Sequence, residues 1–157
     1  MSVFSVFDQL QNSDIATLIS RQDHLFGAGA QLLHISGLIL VLASILIVSL
    51  RLLGLGLVQV PLPRLVKATA QFIWIGLALL AVSGVIIFLP AADHYYPNPV
   101  FWLKFGLLAF AIVLHLTWYR RVTKQESVKP FIARSTAAVL LTTWFGIAYA
   151  ARFIGFY

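Results

Sequence analysis

Four ionisable side chains that could do chemistry stand inside otherwise apolar runs of this sequence: His34, Lys104, His115 and Arg152. A histidine in such a place acts as a metal ligand or proton carrier, or it links two helices by a hydrogen bond. A cation there needs an anionic partner, because an unpaired charge out of water is costly. Whether these residues make a site depends on the elements that carry them.

Those elements are long apolar segments. The chain has 157 residues, of which 61% are hydrophobic and 10% charged, whereas a soluble domain has about 25% charged residues. Four runs, at about 26–50, 68–89, 100–119 and 135–156, have the roughly 20 residues that a bilayer-spanning helix needs. Because their connections are short, they predict an antiparallel four-helix bundle. We therefore expect residues 1–157 to form a single all-α integral membrane domain.

Residues 1–23 precede the first predicted span. Val3, Phe4, Phe7 and Leu10 share one helical face, which predicts an amphipathic helix lying at the membrane interface. Packing of this segment on another subunit is the alternative. The segment has no basic n-region, so the first span is expected to act as its own insertion signal.

Basic residues are concentrated on one side of the predicted bundle. The loops after spans 1 and 3 hold eight of them: Arg51, Arg64, Lys67, Arg120, Arg121, Lys124, Lys129 and Arg134. This positive-inside asymmetry predicts a multi-pass protein of the bacterial inner membrane with both termini on the outer, periplasmic side. Trp118 and Tyr119 are expected at the inner interface. The net charge of +6 then reflects topology and contact with the lipid bilayer, not binding of nucleic acid.

Depth along the predicted helices groups the candidate residues. At 1.5 Å of rise per residue, His34, Lys104 and Arg152 lie about 7, 9 and 10 Å outward from the middle of their spans. Gln31 lies just above His34. His115 lies about 7 Å inward, on the same helical face as Lys104. We therefore expect a cofactor site in the outer half of the membrane, built across three helices.

The chemistry of that site depends on an anion that the helices do not provide. The predicted spans contain no acidic residue, so a bound molecule has to supply the negative charge. A haem b fits, with histidine as its axial ligand and the cations on its propionates. Ligation by both His34 and His115 conflicts with their depths, which differ by about 14 Å. Ligation by His34, alone or with a weaker second ligand, agrees with them.

Structural roles are the competing interpretation of the same residues. Lys104 and Arg152 have stems long enough to reach the outer interface, where aspartates are available for pairing. His34 and His115 could each donate to a carbonyl one turn away and act as neutral links between helices.

The outer rim carries a second group of possible ligands. The dipeptide Asp-His occurs there twice, as Asp23-His24 and Asp93-His94. Two imidazoles and two carboxylates can bind Cu(II) or Zn(II), but the spacing matches no recognised motif, and two solvated dipeptides are the favoured explanation. His24 and His34 are about 15 Å apart along a helix and cannot share a metal. The sequence has no cysteine, which excludes thiolate sites and disulfides, and it has no hydrolase or nucleotide-binding motif.

Parts of the chain resemble a group of uncharacterised four-helix membrane proteins from bacteria. The resembling stretches are LLHISGLILVLASILIVSLRLLGLG, SGVIIF and FWLKFGLLAFA. The group often has an acidic residue before the Arg-Leu-Leu-Gly motif, where this chain has Ser49 and Leu50. The layout also distantly resembles copper-resistance-D and cytochrome b561 membrane proteins, a likeness of fold that implies no activity by itself.

Three functional hypotheses follow. The sequence favours a haem b-binding or quinone-contacting subunit, which passes electrons to a partner and has no independent catalytic activity. A non-catalytic assembly subunit is the first rival, since a stripe of small and polar residues in the first span could dock another subunit in a homo- or hetero-oligomer: Gly27, Gln31, His34, Gly37, Val41 and Ser44. Copper handling at the rim is the further rival.

Overall fold

The structure of the protein is a computed structural model that describes residues 3–125 and 128–156. Its α-helices in chain order are α1 (Val3–Gln11), α2 (Asp14–Ser20), α3 (His24–Leu53), α4 (Leu62–Phe88), α5 (Ala92–Tyr95), α6 (Pro99–Leu114), α7 (Arg120–Thr123) and α8 (Pro130–Phe153). Short 3₁₀ turns cover Leu89–Ala91 and Ile154–Phe156, and a π-helical turn covers His115–Tyr119. The described residues contain no strand.

Four segments are long and apolar enough to cross a membrane: His24–Leu53, Leu62–Tyr95, Pro99–Thr123 and Pro130–Phe156. They confirm the prediction of an all-α protein with four long apolar helices. The helices exceed the predicted spans because local capping sets their ends. Asn98 accepts hydrogen bonds from the backbone of Val100 and Phe101 at the start of α6, and Gly54 ends α3 in the left-handed conformation, with φ 77°.

Three pairs of long helices pack closely, and each pair is a neighbour in the ring that an antiparallel four-helix bundle forms in chain order. α3 is central, with α4 along one side and α8 along another, and α8 also packs against α6. In the described part of the chain, α4 and α6 make no extended contact, although α7 touches α4 where the α6 segment ends. We call this loosely packed boundary the seam between α4 and α6; near the terminal side the stacked rings of Phe88 and Phe101 bridge it, with centroids 5.6 Å apart.

Two glycines explain the close packing of α3 and α4. A Cβ on Gly37 would lie 2.8 Å from the Gly76 carbonyl oxygen, and a Cβ on Gly76 would lie 2.7 Å from the Gly37 carbonyl oxygen. Backbones in apolar surroundings approach this closely only where side chains are absent. Three members of the predicted small-residue stripe are thus buried within the chain itself: Gly37, Val41 and Ser44.

The two ends of the bundle differ in chemistry. At one end the Asn98 side chain donates to the Ile154 carbonyl oxygen at 3.0 Å, which ties the start of α6 to the end of α8. We call this end, where α1 and α2 also lie, the terminal side. The opposite end carries the basic loops that follow α3 and α7, and we call it the basic side.

The N-terminal helices fold onto the terminal side of the chain. Phe7 is only 9% exposed, and its ring packs edge-on against Phe88 and Tyr96, with centroids 5.6 and 5.4 Å away. The Gln11 side-chain oxygen accepts from the Asp93 backbone N–H at 2.8 Å. The apolar side chain of Phe7 on the amphipathic face of α1 is therefore covered by the chain's own aromatic residues.

The largest apolar core lies between α3 and α8, where Val41, Ile45, Ala137 and Leu140 are at most 1% exposed. Many other large apolar side chains point outward, with Trp74 63% exposed. Such a surface is suited to contact with lipid, not with water.

Candidate functional site

The candidate site is centred on the half-buried imidazole of His34 in α3. Its Nδ1 lies 2.9 Å from Oγ of Ser83 in α4. The Ser83 hydroxyl donates its single proton to the Leu79 carbonyl oxygen, 2.5 Å away. Ser83 therefore accepts from the Nδ1–H of His34. A neutral His34 then carries its free lone pair on Nε2.

Gly84 allows the imidazole to lie against α4. A Cβ at this position would lie 3.5 Å from Cε1 of His34, so the ring rests on the helix surface beside the fully buried Ser83. The close crossing at Gly37 and Gly76 brings the two helices near enough for this contact. Within the described residues, no protein group bonds to Nε2. The ring is therefore held at one nitrogen and free at the other.

Lys104 in α6 is the second member of the site. Its side chain is half-buried, and its charge lies within electrostatic reach of His34. The ammonium nitrogen lies 5.9 Å from the ring centroid of Phe105. Among the described residues, Lys104 forms no ion pair. The structure thus brings an imidazole and an unpaired ammonium together in the half of the bundle nearer the terminal side.

The other two residues predicted for this site lie at the surface. Arg152 is exposed near the end of α8, and its guanidinium carbon lies 5.1 Å from the ring centroid of Phe156. Gln31 is exposed and lines a hollow of about 270 Å³ beside Asp23 and Pro90. Among the described residues, no hydrogen bond or ion pair joins Arg152 or Gln31 to His34. Their role in cofactor binding stays a prediction.

The two Asp-His dipeptides at the rim make separate contacts. His24 Nδ1 lies 2.5 Å from the carboxylate of its neighbour Asp23, and both side chains are well exposed. His94 is exposed, with its ring centroid 6.2 Å from that of Tyr95. The part of the chain that the structure describes has no group of three or more His, Asp or Glu placed to hold a metal ion. Copper binding here stays a prediction without a ligand set to support it.

His115 lies in a different environment on the basic side. Its ring stacks on Tyr119, with centroids 4.4 Å apart and planes 24° from parallel. Tyr119 is only 2% exposed, so its side chain packs inside the chain, and its place at the inner interface stays a prediction. His115 Nδ1 and the Tyr119 hydroxyl are both buried without a partner among the described residues. The sequence gives no signal for this turn, because the insertion of a π turn does not alter the hydropathy pattern.

The fold and these contacts define a helical membrane protein with an intramembrane imidazole–ammonium pair. The chain belongs to a family of unknown function, DUF6644, whose profile matches residues 10–157. Comparison with curated proteins and with solved structures gives no match. Membership confirms the predicted resemblance to an uncharacterised family, whereas the likeness to copper-resistance-D and cytochrome b561 proteins is not shown.

Proposed function

We propose that this protein is a redox subunit of the bacterial inner membrane, with periplasmic termini, and that His34 contacts its cofactor. The observation that carries the proposal is the bond from His34 Nδ1–H to Ser83, which leaves Nε2 free. Metal-ligating histidines characteristically donate their other ring N–H to a fixed acceptor, which orients the ring and raises its basicity. His34 Nε2 is thus free to bind the iron of a haem b, if one is present.

Lys104 supports the same proposal through its charge. An ammonium whose charge reaches the His34 imidazole, and which has no carboxylate partner in the described residues, is complementary to a haem propionate. The seam between α4 and α6 is the proposed route by which a flat, amphiphilic cofactor enters from the lipid. A haem held there would relay electrons between a reduced donor and a partner subunit, and the chain itself would then supply binding rather than catalytic residues.

The absorption spectrum of the purified protein tests this proposal. We expect a Soret band of a b-type haem, with one haem per chain, that His34→Ala abolishes. His24→Ala is the matched control, because it removes an exposed imidazole on the same side of the bundle. His115→Ala removes the second intramembrane imidazole and should also keep the band. A haem retained in His34→Ala, or a haem lost in either control, would contradict ligation by His34.

A quinone headgroup is the second candidate ligand. The presence of a hydrogen-bond donor on Lys104 and an acceptor on His34 favours it. The Lys104 ammonium can donate to a quinone carbonyl, while His34 Nε2 can accept a proton from a quinol hydroxyl. In this case the protein is colourless, and solvent extraction yields one quinone per chain. We expect Lys104→Ala to lose it, whereas Lys67→Ala, which removes an exposed cation on the basic side, keeps it. A colourless, quinone-free protein that purifies with another membrane subunit would support the assembly role instead.

A further inference from the structure

The described residues contain a second region that the His34 site does not use. Buried side-chain atoms without a hydrogen-bond partner occur at Ser49, Asp93, His115, Tyr119 and Trp144. Buried polar groups in proteins nearly always bond to protein or to ordered water. Two of these atoms, His115 Nδ1 and the Tyr119 hydroxyl, belong to one helical turn. Because the two atoms share one turn, a single small polar molecule could bond to both.

The turn that carries them is π-helical. The backbone N–H of Arg120 donates to the carbonyl of His115, which closes a turn one residue wider than an α-helical one. The rings of His115 and Tyr119 stack with their centroids 4.4 Å apart. Both orphaned atoms therefore lie in the same small region. π turns inside α-helices frequently occur at functional sites.

Neighbouring protein groups are already engaged. The Thr136 hydroxyl on α8 accepts from Trp118 Nε1 at 2.9 Å and donates to the Ile132 carbonyl oxygen at 2.7 Å. Ser49, fully buried in α3, lies about as deep as Tyr119, since each is four residues, or about 6 Å, from the basic-side end of its segment. Its hydroxyl is also orphaned. Buried polar atoms without a hydrogen-bond partner thus occur on α3 as well as on the His115–Tyr119 turn.

We propose that the His115–Tyr119 turn holds ordered water, bonded to His115 Nδ1 and to the Tyr119 hydroxyl. Water fits because it both donates and accepts, and so it suits either tautomer of the imidazole and either orientation of the phenol hydrogen. A metal ion fits less well, since the described residues offer no third ligand. The exposed Arg120, whose charge reaches His115, lies between this water and the basic side. The site is independent of the function proposed for His34.

Water-edited solid-state NMR on the full chain in lipid bilayers tests the proposal. We expect magnetisation to pass from water to the His115 and Tyr119 rings several-fold faster than to the methyl groups of Val41, which is 0% exposed. In Tyr119→Phe the transfer to His115 should slow. Transfer to His115 in the unaltered protein that is as slow as transfer to Val41 would overturn the proposal.

The sign of a stability change gives a second, independent readout. If water bonds to the Tyr119 hydroxyl, Tyr119→Phe removes a satisfied bond and lowers the melting temperature. If the hydroxyl is buried dry and unpaired, its removal raises the melting temperature, and this result overturns the proposal. Tyr149→Phe is the matched control, because Tyr149 is 68% exposed and its substitution should leave the melting temperature unchanged.

Discussion

His34 and His115 are both imidazoles inside apolar helices, yet their surroundings differ. His34 bonds across a helix interface to Ser83, and its second nitrogen is free. His115 stacks on a tyrosine of its own turn, and its Nδ1 is buried without a protein partner. The facing helix makes the difference, because α4 offers His34 a hydroxyl and a bare glycine surface. The neighbouring helix thus determines which ring nitrogen of each histidine is free to bond to another group.

The largest effect is expected where α3 and α4 cross. Gly76→Ala places a Cβ 2.7 Å from the Gly37 carbonyl oxygen and 2.8 Å from a Val41 methyl carbon. Since backbone atoms cannot yield as a side chain can, the free energy of unfolding should fall by about 3 kcal/mol. Separation of the helices should also break the His34–Ser83 bond while leaving the His115–Tyr119 stack intact.

Unfolding in mixed detergent micelles measures this change, and Gly106→Ala is its control. A Cβ on Gly106 in α6 meets nothing within 4 Å. The control should be neutral or more stable by up to about 1 kcal/mol, because alanine is the better helix former. Equal stability of the two variants would show that the glycine crossing does not hold α3 against α4.

The four long helices could be predicted from hydropathy, but the residues at which they end and the closeness with which each pair packs could not. Four apolar runs predict the four long helices. The basic residues in the loops after spans 1 and 3 predict that these two loops lie on the same side of the bundle. The ends themselves depend on caps such as Asn98 and Gly54. How closely two helices pack depends on which faces lack side chains. Gly76 allows a close approach only because Gly37 lies opposite it, and the sequence does not show that pairing. Short connections predict the antiparallel bundle, but they do not show that α4 and α6 pack less closely than the other neighbouring helices.

The sequence predicts the depth of the candidate site residues along their helices, but not the direction in which their side chains point. A rise of 1.5 Å per residue predicts His34 and Lys104 in the same half of the bundle, and the charge of Lys104 reaches His34. The same count includes Arg152, whose exposed guanidinium lies beside Phe156; depth alone says nothing about the rotation of a helix. Ser83 was visible as a polar residue in an apolar run, but its bond to His34 depends on the α3–α4 crossing.

Ser83→Ala tests the comparison between the two imidazoles directly. The change leaves the Nδ1–H of His34 without an acceptor in a half-buried position, so we expect a loss of about 1.5 kcal/mol in the free energy of unfolding. It should also release the tautomer, which ¹⁵N NMR of the imidazole detects as a mixture of Nδ1–H and Nε2–H forms. If a haem is bound, its affinity should fall about 10- to 100-fold.

Ser44→Ala is the control for this variant. The Ser44 hydroxyl bonds only to the Leu40 carbonyl oxygen of its own helix, at 2.7 Å, and α3 retains that carbonyl's backbone bond without it. We expect a change below about 0.5 kcal/mol and an unaltered His34 tautomer. A single tautomer in Ser83→Ala would mean that some other group holds the ring.

Trp118→Phe makes the equivalent change on the basic side. Trp118 Nε1 donates across the α6–α8 interface to Thr136, as His34 donates across the α3–α4 interface to Ser83. The loss should be smaller, about 0.5–1 kcal/mol, because phenylalanine leaves no orphaned donor and the Thr136 hydroxyl keeps its bond to Ile132. The same micelle unfolding experiment measures it. A larger loss than in Ser83→Ala would reverse the order expected for the two interfaces.

Gly84→Ala should have the smallest effect, and it tests how closely the His34 ring lies against α4. A Cβ at this position lies 3.5 Å from His34 Cε1 and 3.9 Å from Nδ1, which is ordinary van der Waals contact. The ring therefore keeps its place, and the gain in helix propensity, up to about 1 kcal/mol, offsets any small displacement. We expect an unchanged tautomer by ¹⁵N NMR and stability equal to or slightly above that of the unaltered protein. Gly84→Val adds two methyl groups beyond the Cβ and should displace the ring from Ser83. A displaced ring in Gly84→Ala would mean that His34 lies closer to α4 than these distances allow.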